Sequence, residues 1–276
     1  MPQYEYKVVG VKALAEGDYK EAGRAASEYS VSLVKNFALK GSATLVSVGD
    51  VHGLLTADHV WRHVVEGAGD DFCMTLANAP QRFNYPFEGC TPITVGKYSS
   101  SHAEDGPDLA FIRLDNPEKL HRIKSLKSFY PLDPGRDQFN DIPYDQTRWV
   151  VCGAPAEKSF ESDPAKGKRI LKVGQFAGFA TFKEKSVRGE FDYVKIKISS
   201  GSNGFPNHYH GVSGGGAWIP FRYCEDPEGK IESPTLRVFL AGVAYYQVPA
   251  EDTRPKTLIC HGPKSIYERV VQAVRP

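Results

Sequence analysis

From Tyr29 onward the chain is written in short runs that alternate or stay apolar, cut apart by glycine, proline and polar turns. The first group of runs is Val31-Ser32-Leu33-Val34, then 42–48, 72–76, 91–97 and 109–114. A second group begins at Arg148-Trp149-Val150-Val151-Cys152-Gly153 and continues through 170–174, 176–182, 193–198, 216–219 and 238–246. Runs of this length with period two read as strands, and no helical stretch intervenes often enough to suggest βαβ units. The chain is therefore all-β in its main body. The strands fall into two groups, one over 30–116 and one over 148–262.

The segments outside these groups read differently. Residues 1–29 form an N-terminal extension. Within it, 8–29 suggests a helix, with Leu14, Tyr19, Ala22, Ala25 and Ala26 among charges, although Gly10, Gly17 and Gly23 weaken it. The stretch 117–147 carries Pro117, Pro131, Pro134 and Pro143 with little alternation, and reads as the linker between the halves. The tail 263–276 places Pro263 at a helix start, with apolar residues at helical spacing after it.

Composition bounds the partners. The 276 residues carry a net charge of +1, which argues against nucleic acid or an anionic membrane as partner. No apolar run approaches the ~18 residues of a spanning helix. Met1-Pro2-Gln3-Tyr4-Glu5 opens no signal-like apolar core, so a cytoplasmic location is expected, with a periplasmic or secreted one as the alternative if a signal peptide has been removed. No internal repeat or low-complexity tract is visible.

Three short segments carry chemistry. Thr56-Ala57-Asp58-His59-Val60 places a histidine after an apolar run. Asp108 heads the run Leu109-Ala110-Phe111-Ile112-Arg113-Leu114. Gly211-Val212-Ser213-Gly214-Gly215 sets a serine between glycines, where its hydroxyl can stand clear of the backbone. A serine hydroxyl is a poor nucleophile until a base takes its proton, and a histidine does so well only when a third group fixes its tautomer. The order His, Asp, Ser supplies all three.

These segments resemble those of the trypsin-like (chymotrypsin-fold) serine proteases. Leu54-Leu55-Thr56-Ala57-Asp58-His59 is similar to that family's L-T-A-A-H segment, Asp108-Leu109-Ala110 to its D-I-A segment, and 211–215 to its G-x-S-G-G segment. Gly41-Ser42-Ala43-Thr44-Leu45-Val46 resembles the strand before the histidine, and 240–246 the strand that contacts substrate backbone. The resemblance implies two six-stranded antiparallel barrels with a C-terminal helix, the N-terminal helical extension being added. It implies a serine endopeptidase with His59, Asp108 and Ser213 as triad, and the Gly211 and Ser213 amides as oxyanion hole. The partner is then a protein or peptide substrate, no cofactor or metal is called for, and control by a regulatory partner or by the N-terminal segment stays open.

Departures from the secreted branch are informative. Val60 follows His59 and Tyr209 stands four residues before Ser213, so neither of two familiar cystines is present. With Cys73, Cys90, Cys152, Cys224 and Cys260 odd in number, a disulfide-free, prokaryotic-type branch in a reducing compartment is expected. Val212 cannot pair with a newly cut N-terminal amine, which argues against activation by that route. Asn207 aligns with the pocket floor, with His208 beside it and Tyr245, Tyr246 and Gln247 as further substrate contacts. A neutral residue there disfavours strict Lys or Arg preference, unless a loop brings in an acid such as Glu251 or Asp252.

Three rival readings fit parts of the chain. Gly49-Asp50-Val51-His52-Gly53 matches a metallophosphoesterase motif, but Gly69-Asp70-Asp71 does not supply its partner's spacing. The G-x-S-x-G pattern also fits an α/β-hydrolase, whose acid and histidine follow the serine; here His261 is the sole histidine after Ser213. A non-catalytic binding module on a protease fold is the third, and a His208-x-His210 pair alone makes no metal site.

Overall fold

Turn residues decide where the sheets fold back. The computed structural model describes residues 16–67, 69, 71–76, 82–133, 144, 147–162, 170–201, 204–223, 235–249 and 255–275. The N-terminal part of the expected first helix, Asp70, Cys224, Glu251, Asp252 and most of the 134–146 stretch lie outside the described residues.

The first half opens with β1 (Ser30–Lys35), buried along its length, and turns through Asn36 and Phe37 into β2 (Ala38–Val48). Both turn residues are left-handed, with φ of 52° and 58°, the twist that a two-residue hairpin needs. β3 (Val51–Thr56) follows, then α1 (Asp58–Val65), β4 (Asp71–Leu76), β5 (Arg82–Pro86), β6 (Cys90–Gly96) and β7 (Leu109–Leu114). The sheet order is β5-β4-β1-β2-β3-β7-β6, antiparallel throughout. This sheet curls around Leu33, Leu45, Leu54, Phe72 and Ile112 as a half-barrel, and β5 and β6 do not pair with each other among the described residues.

The proline-rich connection holds more structure than its composition suggests. Asn116 caps a helix, α2 (Pro117–Lys124), by accepting a hydrogen bond from the Lys119 amide at 3.0 Å. Pro117 sits in the first turn, where its missing N–H costs nothing, and His121, Arg122 and Lys124 occupy the last turn. The prolines read as breakers; Pro117 is a helix starter. The short β8 (Tyr130–Pro131) then lies parallel to β2.

The second half is a closed barrel. Its strands are β9 (Arg148–Gly153), β12 (Phe176–Arg188), β13 (Phe191–Ile198), β14 (Gly216–Tyr223), β15 (Thr235–Gln247) and β16 (Lys256–His261), with a small β10–β11 hairpin (Phe160–Ser162 and Ile170–Lys172) outside the ring. They pair in the order β12-β13-β16-β15-β14-β9 and back to β12. Trp149, Trp218, Val150, Ile196 and Leu240 fill this core. The N-terminal helix (Glu16–Ser27) packs across β9, β12, β14 and β15 through buried Ala22 and Ala26. The tail is a π-helical turn (Ser265–Val270) running into a short α-helix (Val271–Val274), anchored by the Tyr267 hydroxyl donating to the Leu240 carbonyl at 2.9 Å. None of the described helices is long and apolar enough to cross a membrane.

Candidate active site

His59 stands in the first turn of α1, immediately after β3, and Asp108 just before β7. β3 and β7 are neighbours, with Thr56 paired to Ala110, so the two residues meet at the same end of the sheet. The Asp108 side chain is 1% exposed and spends both oxygens on one residue. Oδ1 accepts the His59 amide at 2.9 Å and Oδ2 meets the His59 ring Nδ1 at 2.5 Å. This pairing fixes the ring's orientation and puts the proton on Nδ1, which leaves Nε2 free to take a proton.

Ser213 comes from the other half, on the loop before β14. Gly211 (φ +91°) and Gly214 (φ +86°) shape that loop, and a Cβ on Gly214 would run into the Ser42 carbonyl and the Thr56 hydroxyl. β2 of the first half holds the loop in place. The Ser42 hydroxyl donates to the Gly211 carbonyl at 2.7 Å and accepts from the Ala154 amide at 2.9 Å, while the Ser42 amide donates to the Ser213 carbonyl at 2.8 Å. Among the described residues the Gly211 and Ser213 amides donate to no protein acceptor, unlike those of Gly214 and Gly215, which bond to Ala244 and Val212. The Ser213 hydroxyl donates to the Tyr245 carbonyl at 3.3 Å, not to His59.

His59, Asp108 and Ser213 line one cavity of about 190 Å³, together with Tyr98, Tyr209, His210, Val212, Ala244, Tyr245, Tyr246, Gln247 and Leu258. Three of the expected substrate contacts, Tyr245, Tyr246 and Gln247, are thus at the site. Asn207 and His208 are not among its lining residues. They are exposed and bound to Glu157 in the loop after β9: the Asn207 amide and side chain donate to its carboxylate at 2.8 and 2.9 Å, and the His208 amide at 3.2 Å. Partial desolvation raises the Glu157 pKa, but these donors outweigh it and hold the carboxyl below its ordinary value. Counting back from Ser213 misplaces Asn207 because Tyr209 takes the inward position. Tyr209 is buried, its amide donates to Gln247 Oε1 at 2.7 Å, and its hydroxyl donates to the Ser199 carbonyl.

Sequence reasoning passed over several residues at the site. Asp58, replacing an alanine of the resemblance, is buried and accepts from the Tyr98 amide at 2.9 Å and from Arg62 at 2.7 Å. This places the Tyr98 ring 5.3 Å from that of His59. Its signal was the departure itself: a charged residue where a small one is expected. Ser42 reads in the sequence only as part of a strand motif.

Gly49 and Asp50 form the β2–β3 turn, where His52 Nδ1 bonds to the Asp50 carbonyl at 2.8 Å. No group of three metal-ligating side chains occurs among the described residues. The sheets are antiparallel, apart from β8, which is not the arrangement of an α/β-hydrolase.

The architecture is that of the trypsin-like serine proteases: a closed six-stranded barrel beside a curled half-barrel, with the cleft between. Mouse neuropsin, a serine protease expressed in the limbic system of the brain, superposes with a TM-score of 0.52 at 14% identity, over 91% of this chain and 96% of that one. Human heparin binding protein gives 0.52 at 14% identity, over 91% and 94%. Kallikrein-related peptidase 10 in complex with Zn2+ gives 0.50 at 13%, over 91% and 98%. At such identities the likeness is one of fold. No family model and no curated protein matches the chain.

Proposed function

We propose that the protein is a serine endopeptidase acting through His59, Asp108 and Ser213. Ser213 Oγ adds to the scissile carbonyl while its proton passes to His59 Nε2. The carbonyl π electrons move to oxygen, which the Gly211 and Ser213 amides receive. Collapse expels the amine, protonated by His59, and leaves an ester on Ser213; a water deprotonated by the same ring then releases the acid. The reading is carried by the buried Asp108 giving both oxygens to His59 in the cavity that Ser213 also lines. For this step the Ser213 hydroxyl has to leave the Tyr245 carbonyl for the base; such catalytic bonds commonly form or tighten only once substrate is bound.

The cavity is walled by Val212, Ala244, Leu258 and tyrosines, its one lining acid among the described residues, Asp108, is committed to His59, and Glu157, which is not among the lining residues, already accepts three hydrogen bonds. A buried cation without a carboxylate partner costs several kcal/mol. We therefore infer an uncharged residue before the cut. We propose a reducing compartment such as the cytoplasm, on the odd number of cysteines in the sequence.

The alternative is a binding module without turnover. It is favoured by the Ser213 hydroxyl bonding to Tyr245, and by a similar fold in a protein named for heparin binding. A fluorophosphonate probe separates the two: labelling of the wild type and none of Ser213→Ala supports the enzyme, and failure to label the wild type supports the binding module.

A further inference from the structure

His261, which neither the triad nor the pocket uses, ends β16 and is fully buried. Its Nε2 accepts the backbone N–H of Asp108 at 3.1 Å. That contact fixes the tautomer: Nε2 offers its lone pair, so the proton of the neutral ring is on Nδ1. Nδ1 has no hydrogen-bond partner. The His261 ring packs against those of Tyr245, Tyr193 and Phe191, at centroid distances of 4.7, 5.2 and 5.8 Å.

A buried N–H without an acceptor opposes folding, and a leucine of similar volume would carry no such penalty. What the histidine provides in return is one contact, to Asp108. No other described group accepts that amide, and the same residue commits both carboxylate oxygens to His59. The three residues form a single hydrogen-bonded line, His261 to Asp108 to His59, which crosses from the closed barrel to the half-barrel.

We propose that His261 is a positioning residue for the Asp108–His59 pair: its neutral ring holds the Asp108 backbone so that the carboxylate stays aimed at the base, and protonation of the ring removes that hold. The proposal rests on the reading of Asp108 and His59 as part of the active site. Protonation at Nε2 would replace a lone pair by an N–H facing the Asp108 N–H, so the contact becomes a repulsion. The charged and titratable groups facing the ring are Asp108 from the segment before β7, Asp192 and Tyr193 from β13, Arg188 from the end of β12 and Tyr245 from β15. Burial dominates and lowers the His261 pKa from 6.5 to about 4; Asp108 and Asp192 oppose that fall and Arg188 adds to it. The ring is therefore neutral, and holding, at neutral pH.

The test uses the full chain and an activated ester, p-nitrophenyl acetate, with kcat and KM followed against pH. Ser213→Ala is the control: turnover that survives it overturns the nucleophile reading, independently of His261. Glutamine retains an acceptor and cannot titrate, whereas leucine has neither property. His261→Gln should keep kcat within about 3-fold of wild type at neutral pH, and its acid limb should fall with one proton where the wild type falls with two. His261→Leu should lower kcat by about 10-fold or more with KM nearly unchanged, since it disturbs positioning and not binding. The proton NMR signal of His59 Nδ1–H, measured on the Ser213→Ala background, should move in His261→Leu and stay in His261→Gln. A wild-type kcat and an unmoved proton signal in His261→Leu overturn the proposal. If that variant does not fold, a two-proton acid limb retained in His261→Gln overturns it alone.

Discussion

Six strands of the second half pair all the way round, whereas the first half's path from β5 to β6 is open at both ends among the described residues. The open half nevertheless carries the more finished part of the site, since His59 and Asp108 are already bonded to each other within it. The closed half carries Ser213 on a loop whose shape comes from outside, through Ser42 of the first half. In return it lends His261 to Asp108. Each half therefore supplies one polar side chain to support the other's functional residue. Closure of a barrel gives a stiff frame, but the exchange across the seam is what sets the geometry.

The comparison can be broken first at its centre. Ser213→Ala should abolish peptide hydrolysis, and His59→Ala should be comparably damaging, each with losses on the order of 10⁶ in turnover if the residues act as a unit. Intact hydrolysis by Ser213→Ala would remove the second half's role. Asp108→Asn should cost about 10⁴ in turnover while the fold survives, because an amide mis-sets the imidazole tautomer. Circular dichroism and steady-state rates together check this.

The cross-seam contacts come next. His261 has a folded-state pKa below its ordinary value of 6.5, at about 4, chiefly through burial. Above pH 6.5 it is neutral in both the folded and unfolded chain and has no effect on stability. Between 6.5 and 4 only the unfolded chain takes up the proton, so stability falls as pH falls, by about 3 kcal/mol over that window. Urea midpoints across pH 4–7 should show this slope in the wild type and lose it in His261→Gln. Ser42→Ala strands the Ala154 amide and the Gly211 carbonyl, and should destabilise by about 1–3 kcal/mol. A larger effect on turnover than on the melting temperature would show that the loop, more than the barrel, depends on Ser42.

The smallest effect is expected furthest from the seam. Asn207→Asp sets a second carboxylate against Glu157 at an exposed position. It should shift stability by under ~1 kcal/mol, and should not create a Lys or Arg preference before the cut in peptide-library profiling. Dominance of Lys or Arg in that variant would bring Asn207 back into the substrate pocket.

Much of this organisation was legible in the residues. The strand runs, the division into two groups, and the segments bearing His59, Asp108 and Ser213 were recognisable because period-two alternation and glycine-flanked polar residues are local signals. The run Lys256–His261 does not read as a strand from sequence, and His261 reads there only as a lone histidine. Its short run has no alternation, and only the pairing with β13 and β15 declares it a strand. Arg82–Pro86 does alternate, with Phe83 and Tyr85 buried and Asn84 exposed, but the run is short and ends in a proline. Asn207 failed because counting residues assumes a fixed loop path, while the path here is set by Glu157, Gln247 and the buried Tyr209, which come together only in three dimensions.

Gly214 lies so close to Ser42 and Thr56 that not even a methyl group fits between them. At this point the halves meet backbone to backbone, like two parts of a mould. A mould leaves its imprint only when closed, so the second half apart from the first has the serine but not its setting. Any scheme that divides the chain between the halves then has reassembly itself as its switch, and on the proposed function hydrolysis would be the signal that the two pieces have met.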